Sequence, residues 1–241
     1  MKKKLPLLYF KDHSSLEYCL IIQEKGSFKG AARDVTYTSV AGRSGDLITD
    51  NGRYKNVTIP YTLALLNTSP YSFTELARLI RNWLLIGQGY FKLWDTYDKN
   101  YYRLASFSDE VDIEQELRDL GSLSLSFNCK PYKYSFEGEK AITITKADKI
   151  YNAEACESKP YIKIFGSGTV TLYINNNAFQ FTDIDDYLEV DSEMMNTYKD
   201  TVPANHKKKG ADFPIFQPGY NNISWNGNIT RLEIVPRWCS L

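Results

Sequence analysis

The chain has 241 residues, and its 29 basic and 29 acidic side chains give a formal net charge of zero at neutral pH. This balance argues against a dedicated nucleic-acid-binding protein, which needs a basic excess for phosphate contacts. It also makes self-association easier, because self-repulsion is small. The 43% apolar and 24% charged content are those of an ordinary folded protein and argue against a disordered chain. The length allows one or two domains.

The N-terminal apolar run Leu5–Phe10 is too short for the core of a signal peptide, and charged residues follow it directly. No later window reaches the length of a transmembrane span, so membrane insertion is not expected. The cysteines stand far apart and match no zinc or thiol-redox spacing: Cys19, Cys129, Cys156 and Cys239. We interpret them as reduced structural thiols, and the sequence predicts no metal and no cofactor.

Three glycines mark the stretch Val40–Ile59. It lacks the lysine and hydroxyl pair of a phosphate-binding P-loop, and no helical pattern follows it as in a dinucleotide-binding loop. Asp50-Asn51-Gly52 is instead typical of a tight turn, because Asn and Gly tolerate a positive φ. Since β-forming residues lie on both sides, in Leu47–Thr49 and Tyr54–Ile59, the stretch predicts a β-hairpin.

The chain then predicts one helix, from Phe73 to Ile86, which Gly87 would end. Ser72 and Glu75 have the spacing of a capping box. Apolar residues at helical spacing form a face that is expected to cover a sheet, with its tryptophan in the core: Phe73, Leu76, Ala77, Ile80, Trp83 and Leu84. The next segment, Asp109–Leu120, fits either a short acidic helix or a strand with a loop.

The rest of the chain has the pattern of strands separated by turns. Thr169–Ile174 alternates strictly, and Asn175–Asn177 supplies the following turn. Ile142–Ile144 and Ile162–Ile164 repeat the alternation on either side of a predicted loop, Lys149–Pro160. Each of these segments is short, as in a β-sandwich.

A second hairpin is predicted where Ile223–Trp225 and Ile229–Ile234 flank Asn226-Gly227. Proline interrupts a strand pattern at Cys129–Tyr132, which suggests a domain boundary there. The predicted fold class is mostly β. An α+β N-terminal domain, residues 1–130, has one helix on a β-sandwich, and residues 131–241 form a second, all-β sandwich.

No catalytic or metal-binding motif stands out in the sequence. The acidic stretch Asp183–Asp191 departs from a calcium-binding loop; Leu188 and Val190 are expected in the core, with Glu189 and Asp191 facing solvent. The histidines and one basic run are expected at the surface: His13, His206 and Lys207–Lys209. Several aromatic residues would suit sugar stacking if exposed, but a packing role is favoured for them: Tyr161, Tyr173, Phe179, Tyr187 and Tyr220.

A series of short blocks spans nearly the whole chain in a characteristic order. They are Gly42–Leu47, Asp50–Asn56, the helix Ser72–Ile86, the F-x-C-x-P junction Phe127–Tyr132, Ile164–Gly168, Asp191–Met194, Phe213-Pro214, Pro218–Ile223 and Pro236-Arg237. In these blocks, taken together with their spacing, the chain resembles the distal tail proteins of long, non-contractile-tailed phages that infect Gram-positive bacteria.

The resemblance implies a non-enzymatic, structural protein. Six copies would form a ring through the first domain, and the second domain would be a galectin-like β-sandwich outside the ring. The glycine-marked hairpin would belong to the ring-forming surface, with these candidate interface residues: Arg43, Gly45, Asp46, Asp50, Gly52 and Tyr54.

The resemblance also implies a place and partners. The chain would assemble in the cytoplasm of the host bacterium and reside at the tail tip or baseplate of the virion. Its partners would be the tail tube protein, the tape-measure protein, the tail-associated hub protein, and receptor-binding or baseplate proteins. DNA would pass through the ring without specific binding.

Two alternative functions stay open from the sequence. A carbohydrate-binding module would contact the host cell wall, although the chain has no room for a large carbohydrate-binding insertion. A hydrolase with a scattered active site would degrade that wall through an Asp or Glu pair.

Overall fold

The computed structural model describes residues 5–67, 69–109 and 112–241. Over these ranges the chain is mostly β, as predicted, with two α-helices. It divides into two compact units, the first ending at Lys133 and the second spanning Tyr134–Ser240. Each unit has its own cluster of buried apolar side chains.

The strands of the first unit are β1 (Leu8–Phe10), β2 (His13–Ser14), β3 (Leu20–Lys25), β4 (Arg33–Thr38), β5 (Leu47–Tyr54), β6 (Val57–Leu65), β7 (Phe91–Asp95), β8 (Tyr101–Ser106) and β9 (Ser122–Ser135). One sheet contains all of them except β4 and β5, in the order β2-β1-β7-β8-β9-β6-β3. Strand β9 continues through Pro131, where the sequence predicted an interruption. Its ladder with β6 ends at Cys129, so the missing N–H of Pro131 breaks none of those bonds.

The predicted helix is α1 (Phe73–Leu85), one residue shorter than expected. Its capping box is confirmed, because the Glu75 N–H donates to the Ser72 hydroxyl and the Ser72 N–H donates to the Glu75 carboxylate. At the other end, the Lys11 ammonium donates to three backbone carbonyls of the last turn, those of Trp83, Leu84 and Ile86. The Lys11 ammonium therefore supplies hydrogen bonds to the unpaired carbonyls at the helix C-terminus and a positive charge that favours the helix dipole.

The apolar face of α1 covers the sheet, and its tryptophan lies in the core as predicted. The Trp83 indole N–H donates to the Phe10 carbonyl at 2.8 Å, and the Phe10 ring packs edge-on against Phe127, 5.0 Å between centroids. Phe73 does not join this core, since it is 41% exposed. The segment Asp109–Leu120, which the sequence assigned to either a helix or a strand with a loop, contains a helix, α2 (Ile113–Leu120). Residues 110 and 111 lie outside the described ranges.

The second unit contains β10 (Ile142–Ile144), β11 (Asp148–Asn152), β12 (Tyr161–Ile174), β13 (Asn177–Ile184), β14 (Tyr187–Asp191), β15 (Asn196–Lys199), β16 (Val202–Pro203), β17 (Gly219–Val235) and β18 (Cys239–Ser240). The sheet order is β10-β17-β12-β14-β15-β16, and β11 and β13 pair with β17 and β12. The first half of β12 lies between β14 and β17, and its second half lies between β13 and β17. The long strands β12 and β17 therefore pair with each other along most of their length, and the shorter strands β13 and β14 pair with different halves of β12.

Two turn and loop predictions for this unit are wrong. Asn226-Gly227 lies inside the continuous strand β17, where the register against β12 shifts and Gly227 has φ +92°. Asn226 and Gly227 lie in a β-bulge, where the glycine has the positive φ that a tight turn would also need. The predicted loop Lys149–Pro160 also begins with strand β11, which pairs with β17. The turn after Ile174 is confirmed, since Asn175 has φ +54° and β13 follows directly.

Two charged residues predicted at the surface are buried. Asp191 is 3% exposed and accepts two hydrogen bonds from the Arg237 guanidinium, at 2.7 and 2.8 Å. Lys208 donates to the Gly210 carbonyl at 2.7 Å, and its ammonium lies 4.5 Å from the centroid of the Phe213 ring. Both side chains are buried because each has a specific partner.

A glycine at the bend of β12 should be sensitive to the smallest substitution. A Cβ on Gly166 would lie 2.1 Å from the carbonyl oxygen of Asn228, a backbone atom of β17. We expect Gly166→Ala to lower the free energy of unfolding by about 2–3 kcal/mol, measured by urea denaturation, because the two strands must separate. The control is Gly30→Ala, where a Cβ meets nothing within 4 Å. Equal effects of the two changes would contradict this close approach of β12 and β17.

Candidate functional site

Strands β4 and β5 form an exposed two-stranded arm, here called the β4–β5 arm (residues 33–54). None of its residues belongs to the buried apolar core of the first unit. Apart from three half-buried side chains, those of Asp34, Val35 and Tyr54, the arm is exposed throughout. A two-stranded ribbon that lies outside a hydrophobic core is marginally stable in water, so this arm is suited to contact another surface.

The hairpin predicted about Asp50-Asn51-Gly52 is wrong, because β5 pairs with the preceding strand β4, whereas Val57–Ile59 begins β6, which pairs with β3 and β9. Asp50-Asn51-Gly52 lies within β5, where the register against β4 shifts between Arg33 and Val35. Gly52 has φ +68°, and its N–H donates to the Asp50 carboxylate at 2.9 Å. The expected tight turn is therefore a bulge. Residues 39–46 connect the strands instead, using the positive φ of Gly42 and Gly45.

The six predicted interface residues fall into two groups. Arg43, Gly45 and Asp46 lie in the exposed connection at the tip of the arm. Asp50, Gly52 and Tyr54 lie along β5, with Tyr54 at its inner end. The structure therefore places all six on one hairpin without gathering them into one cluster.

The sequence reasoning missed the partner strand β4, which supplies the ionic contacts of the arm. The Arg33 guanidinium pairs with Asp50 and lies 5.5 Å from the centroid of the Tyr54 ring. Arg53 donates to Asp34 at 2.7 Å. The alternation of Val35 and Tyr37 with threonines was a usable β-strand signal for this segment.

These contacts keep the carboxylates of the arm ionised. The Gly52 N–H and then Arg33 lower the pKa of Asp50 below its usual value. The hydrogen bond from Arg53 lowers the pKa of Asp34 in the same direction. Because Arg33, Asp50 and Arg53 are exposed, the pairs orient the strands rather than stabilise them strongly.

The arm also presents apolar side chains to solvent. Tyr37 and Ile48 stand directly opposite each other in the β4–β5 register, so they share one face. They are 61% and 60% exposed, and Leu47 and Val40 are exposed nearby. An apolar pair at the centre of an exposed ribbon is the kind of surface that packs against a partner.

The titratable side chains of the described residues were compared with the requirements of a metal site. No group of three or more His, Cys, Asp or Glu side chains in residues 5–67, 69–109 and 112–241 could hold a metal ion. The four cysteines are free thiols, and burial raises the pKa of Cys129 and of Cys239 to about 12. Among the helices described, none is long and apolar enough to cross a membrane.

The aromatic residues considered for sugar stacking have different surroundings. Phe179 is buried in the core of the second unit, whereas Tyr220 is largely exposed and packs against Tyr151, 4.9 Å between ring centroids. Tyr161, Tyr173 and Tyr187 are half-buried. Tyr161 and Tyr173 lie on β12, and Tyr187 lies at the start of β14. Both histidines are exposed, as predicted.

Comparison with solved structures gives an informative match. No family model matches the sequence, and no curated protein matches it. The fold is similar to that of the SPP1 Dit (gp 19.1) protein, whose crystal structure is described as a paradigm of the hub adsorption apparatus in phages that infect Gram-positive bacteria. The TM-score is 0.71 at 13% sequence identity, and the match covers 96% of this chain and 98% of that one. The chain therefore shares the fold of a Dit protein over nearly its full length.

Proposed function

We propose that the chain is a structural protein of a phage tail tip, a distal tail protein of which six copies form a ring. The observation that carries the proposal is the full-length likeness in fold to a Dit protein, with a TM-score of 0.71. The order of short sequence blocks points to the same family independently of the fold. The zero net charge is consistent with close packing of identical copies.

The β4–β5 arm supports a role in assembly. It exposes Tyr37 and Ile48 on one face, and both of its outer edges lack a partner strand within the described residues. Unpaired strand edges and exposed apolar pairs are suited to contact a neighbouring copy. In the proposed ring, the arm of one copy packs against the next copy, a head-to-tail contact that closes by rotation.

We assign the two parts of the chain different tasks. Residues 1–130 form the ring and join it to the tail tube and the tape-measure protein. Residues 131–241, as a galectin-like domain outside the ring, carry the hub and the receptor-binding or baseplate proteins. The protein resides in the virion after assembly in the host cytoplasm, and DNA passes through the ring.

The proposed role involves no catalysis. The Asp191 carboxylate is engaged in a structural pair with Arg237. A hydrolase would require a carboxylate pair that acts on a glycosidic bond across a cleft. Purified protein that degrades cell walls, with loss of activity on one Asp or Glu change, would contradict the structural role.

Negative-stain electron microscopy of the purified full chain tests the proposal. We expect ring-shaped particles with a central hole and sixfold symmetry in class averages. Particles without a hole, or rings with another symmetry, would contradict the hexameric ring. Adding a tail tube protein should place the rings at tube ends, because the ring is proposed to join the tube to the tip.

A further inference from the structure

The second unit contains a pocket that the assembly role does not use. It has a volume of about 440 Å³, within the range of roughly 300–1,000 Å³ that is common for small-molecule sites. Its walls come from the start of β13, the turn after β14 and the loop of residues 209–217. All of these segments belong to the second unit.

Backbone and buried contacts hold the walls of this pocket in place. The Lys209 N–H donates to the Gln180 carbonyl of β13 at 2.9 Å, which ties the loop to the sheet. The buried ammonium of Lys208 bonds to the Gly210 carbonyl inside the same loop. Asp191 accepts from the N–H groups of Glu193 and Met194, both at 3.0 Å, and so shapes the turn on the other side. A cavity held in this way needs little reorganisation to bind a ligand.

Three polar side chains of the pocket lack a protein partner in the described chain. The Ser192 hydroxyl is buried and makes no hydrogen bond there. The side chains of Asn177 and Lys209 also line the pocket, and neither bonds to another described residue. Because the Ser192 hydroxyl oxygen is inaccessible to solvent, the side chains of Asn177 and Lys209 are the ones of these three that a ligand can reach.

The charges and apolar walls of the pocket narrow the class of ligand. Two ammonium groups line it, those of Lys159 and Lys209, against the carboxylate of Asp212. The Lys159 ammonium is 3.8 Å from the Glu193 carboxylate, a half-exposed pair that binds weakly. Phe179 and Phe213 supply aromatic carbon. The excess of positive charge favours an anion, and the mixture of donors, acceptors and rings suits a hydroxylated ring.

We propose that this pocket binds a sugar that carries one anionic substituent, a phosphate or a carboxylate. The Lys209 ammonium contacts the anionic group, and the Asn177 side chain bonds to a ring hydroxyl. Sugar binding was one alternative that the sequence left open, and the structure now gives it a defined place. The site does not depend on the proposed ring, because all of its walls belong to one unit of one chain.

Isothermal titration calorimetry on the full chain tests the proposal with four probes. Glucose 1-phosphate and glucuronate should bind. Methyl glucoside lacks the anionic group and inorganic phosphate lacks the sugar ring, so each should bind at least about tenfold more weakly. The tighter of the two anionic sugars identifies the substituent. Failure of both anionic sugars to saturate the protein at about 10 mM would overturn the proposal.

Two variants locate the binding in this pocket. Lys209→Gln should weaken the anionic sugars about tenfold through loss of one charge-assisted hydrogen bond. The matched control, Lys149→Gln, changes an exposed lysine of β11 and should have no effect. Equal affinities of wild type and Lys209→Gln would exclude this pocket as the site.

Asn177→Ala tests the contact with a ring hydroxyl. The Asn177 side chain bonds to no other described residue, so its removal should leave the melting temperature nearly unchanged while binding of the anionic sugars weakens several-fold. Unchanged affinity for both anionic sugars would overturn the proposed role of Asn177. If inorganic phosphate binds as tightly as glucose 1-phosphate, the pocket recognises an anion and not a sugar, which would overturn the proposal.

Discussion

Replacing Ile48 with aspartate is expected to dissociate the proposed ring into monomers. Ile48 is 60% exposed on the β4–β5 arm, opposite Tyr37, so the isolated chain gains little from its apolar side chain. In a ring contact the same side chain would be buried, and a carboxylate there would remain unpaired. We expect a loss of about 3 kcal/mol for each contact, or about 100-fold in its association constant.

Two measurements separate this effect from unfolding. The Ile48→Asp monomer should stay folded, with the far-UV circular dichroism spectrum of the wild type, since exposed substitutions change the stability of the isolated chain by about 0.5 kcal/mol or less. Val202→Asp is the matched control, because Val202 is an equally exposed β-branched residue on β16 of the second unit. Analytical ultracentrifugation should show monomers for Ile48→Asp and hexamers for Val202→Asp. Intact hexamers of Ile48→Asp would exclude the arm from the ring contact.

Asp191→Asn is expected to cause the largest loss of stability among simple polar substitutions. The change keeps the size of the side chain but removes the charge that the bidentate Arg237 guanidinium requires. Breaking a buried pair leaves the other charge uncompensated, and here that charge is partly exposed. We therefore expect a loss of about 3 kcal/mol in the free energy of unfolding, measured by urea denaturation.

The same pair gives a prediction for acid pH. Burial alone would raise the pKa of Asp191, but Arg237 and the N–H groups of Met194 and Glu193 outweigh it and hold the pKa below its ordinary value of 3.8. The unfolded chain therefore binds the proton more readily than the folded chain does. The contribution of Asp191 to stability is fully present above about pH 4 and is lost as the pH falls through its folded pKa.

The acid sensitivity should be smaller in Asp191→Asn than in the wild type, because the variant has no carboxylate to protonate. Asp185→Asn is the control, since the side chain of Asp185 is 93% exposed and lies 3.9 Å from the Lys199 ammonium. It should change the free energy of unfolding by about 0.5 kcal/mol or less. Equal stability curves for the two variants between about pH 2 and pH 7 would contradict a structural role for the Asp191 pair.

Local signals in the sequence predicted the elements that local interactions build. Helix α1 followed from its capping box and its apolar face, and both are present. The alternating run in β12 and the turn after it were also recovered, because period-two patterning and positive φ at asparagine are local properties. The exposed Phe73 shows the limit of this reasoning, since the helix periodicity alone does not say how far the sheet extends beneath it.

Both asparagine-glycine pairs were interpreted as turns, and both lie in bulges. At Asn51-Gly52 and at Asn226-Gly227 the glycine has a positive φ, as the sequence indicated. Whether such a residue reverses the chain or bulges a strand depends on the partner of the flanking segments. Strand β5 pairs with β4, which precedes it, rather than with the residues after Gly52, and β17 pairs with β12 from an earlier part of the chain. Local signals carry no information on that pairing.

The candidate sites depended on pairs that are far apart in the sequence. Asp191 meets Arg237 across 46 residues, and the alternating pattern around Asp191 suggested solvent exposure instead. The arm was predicted from one of its two strands, so the contacts of Arg33 and the Tyr37–Ile48 pair were missed. The pocket beside Ser192 gathers four separate segments, and no single segment has a binding motif.

Absolute mass in solution, measured by multi-angle light scattering at several concentrations, tests the central proposal most directly. Six chains of 27.7 kDa give a particle of about 166 kDa, and this mass should persist on dilution because a closed ring has no free ends. If the particle of about 166 kDa forms only when a tail tube protein is present, ring assembly requires that partner. A particle of 27.7 kDa under all of these conditions would contradict the ring.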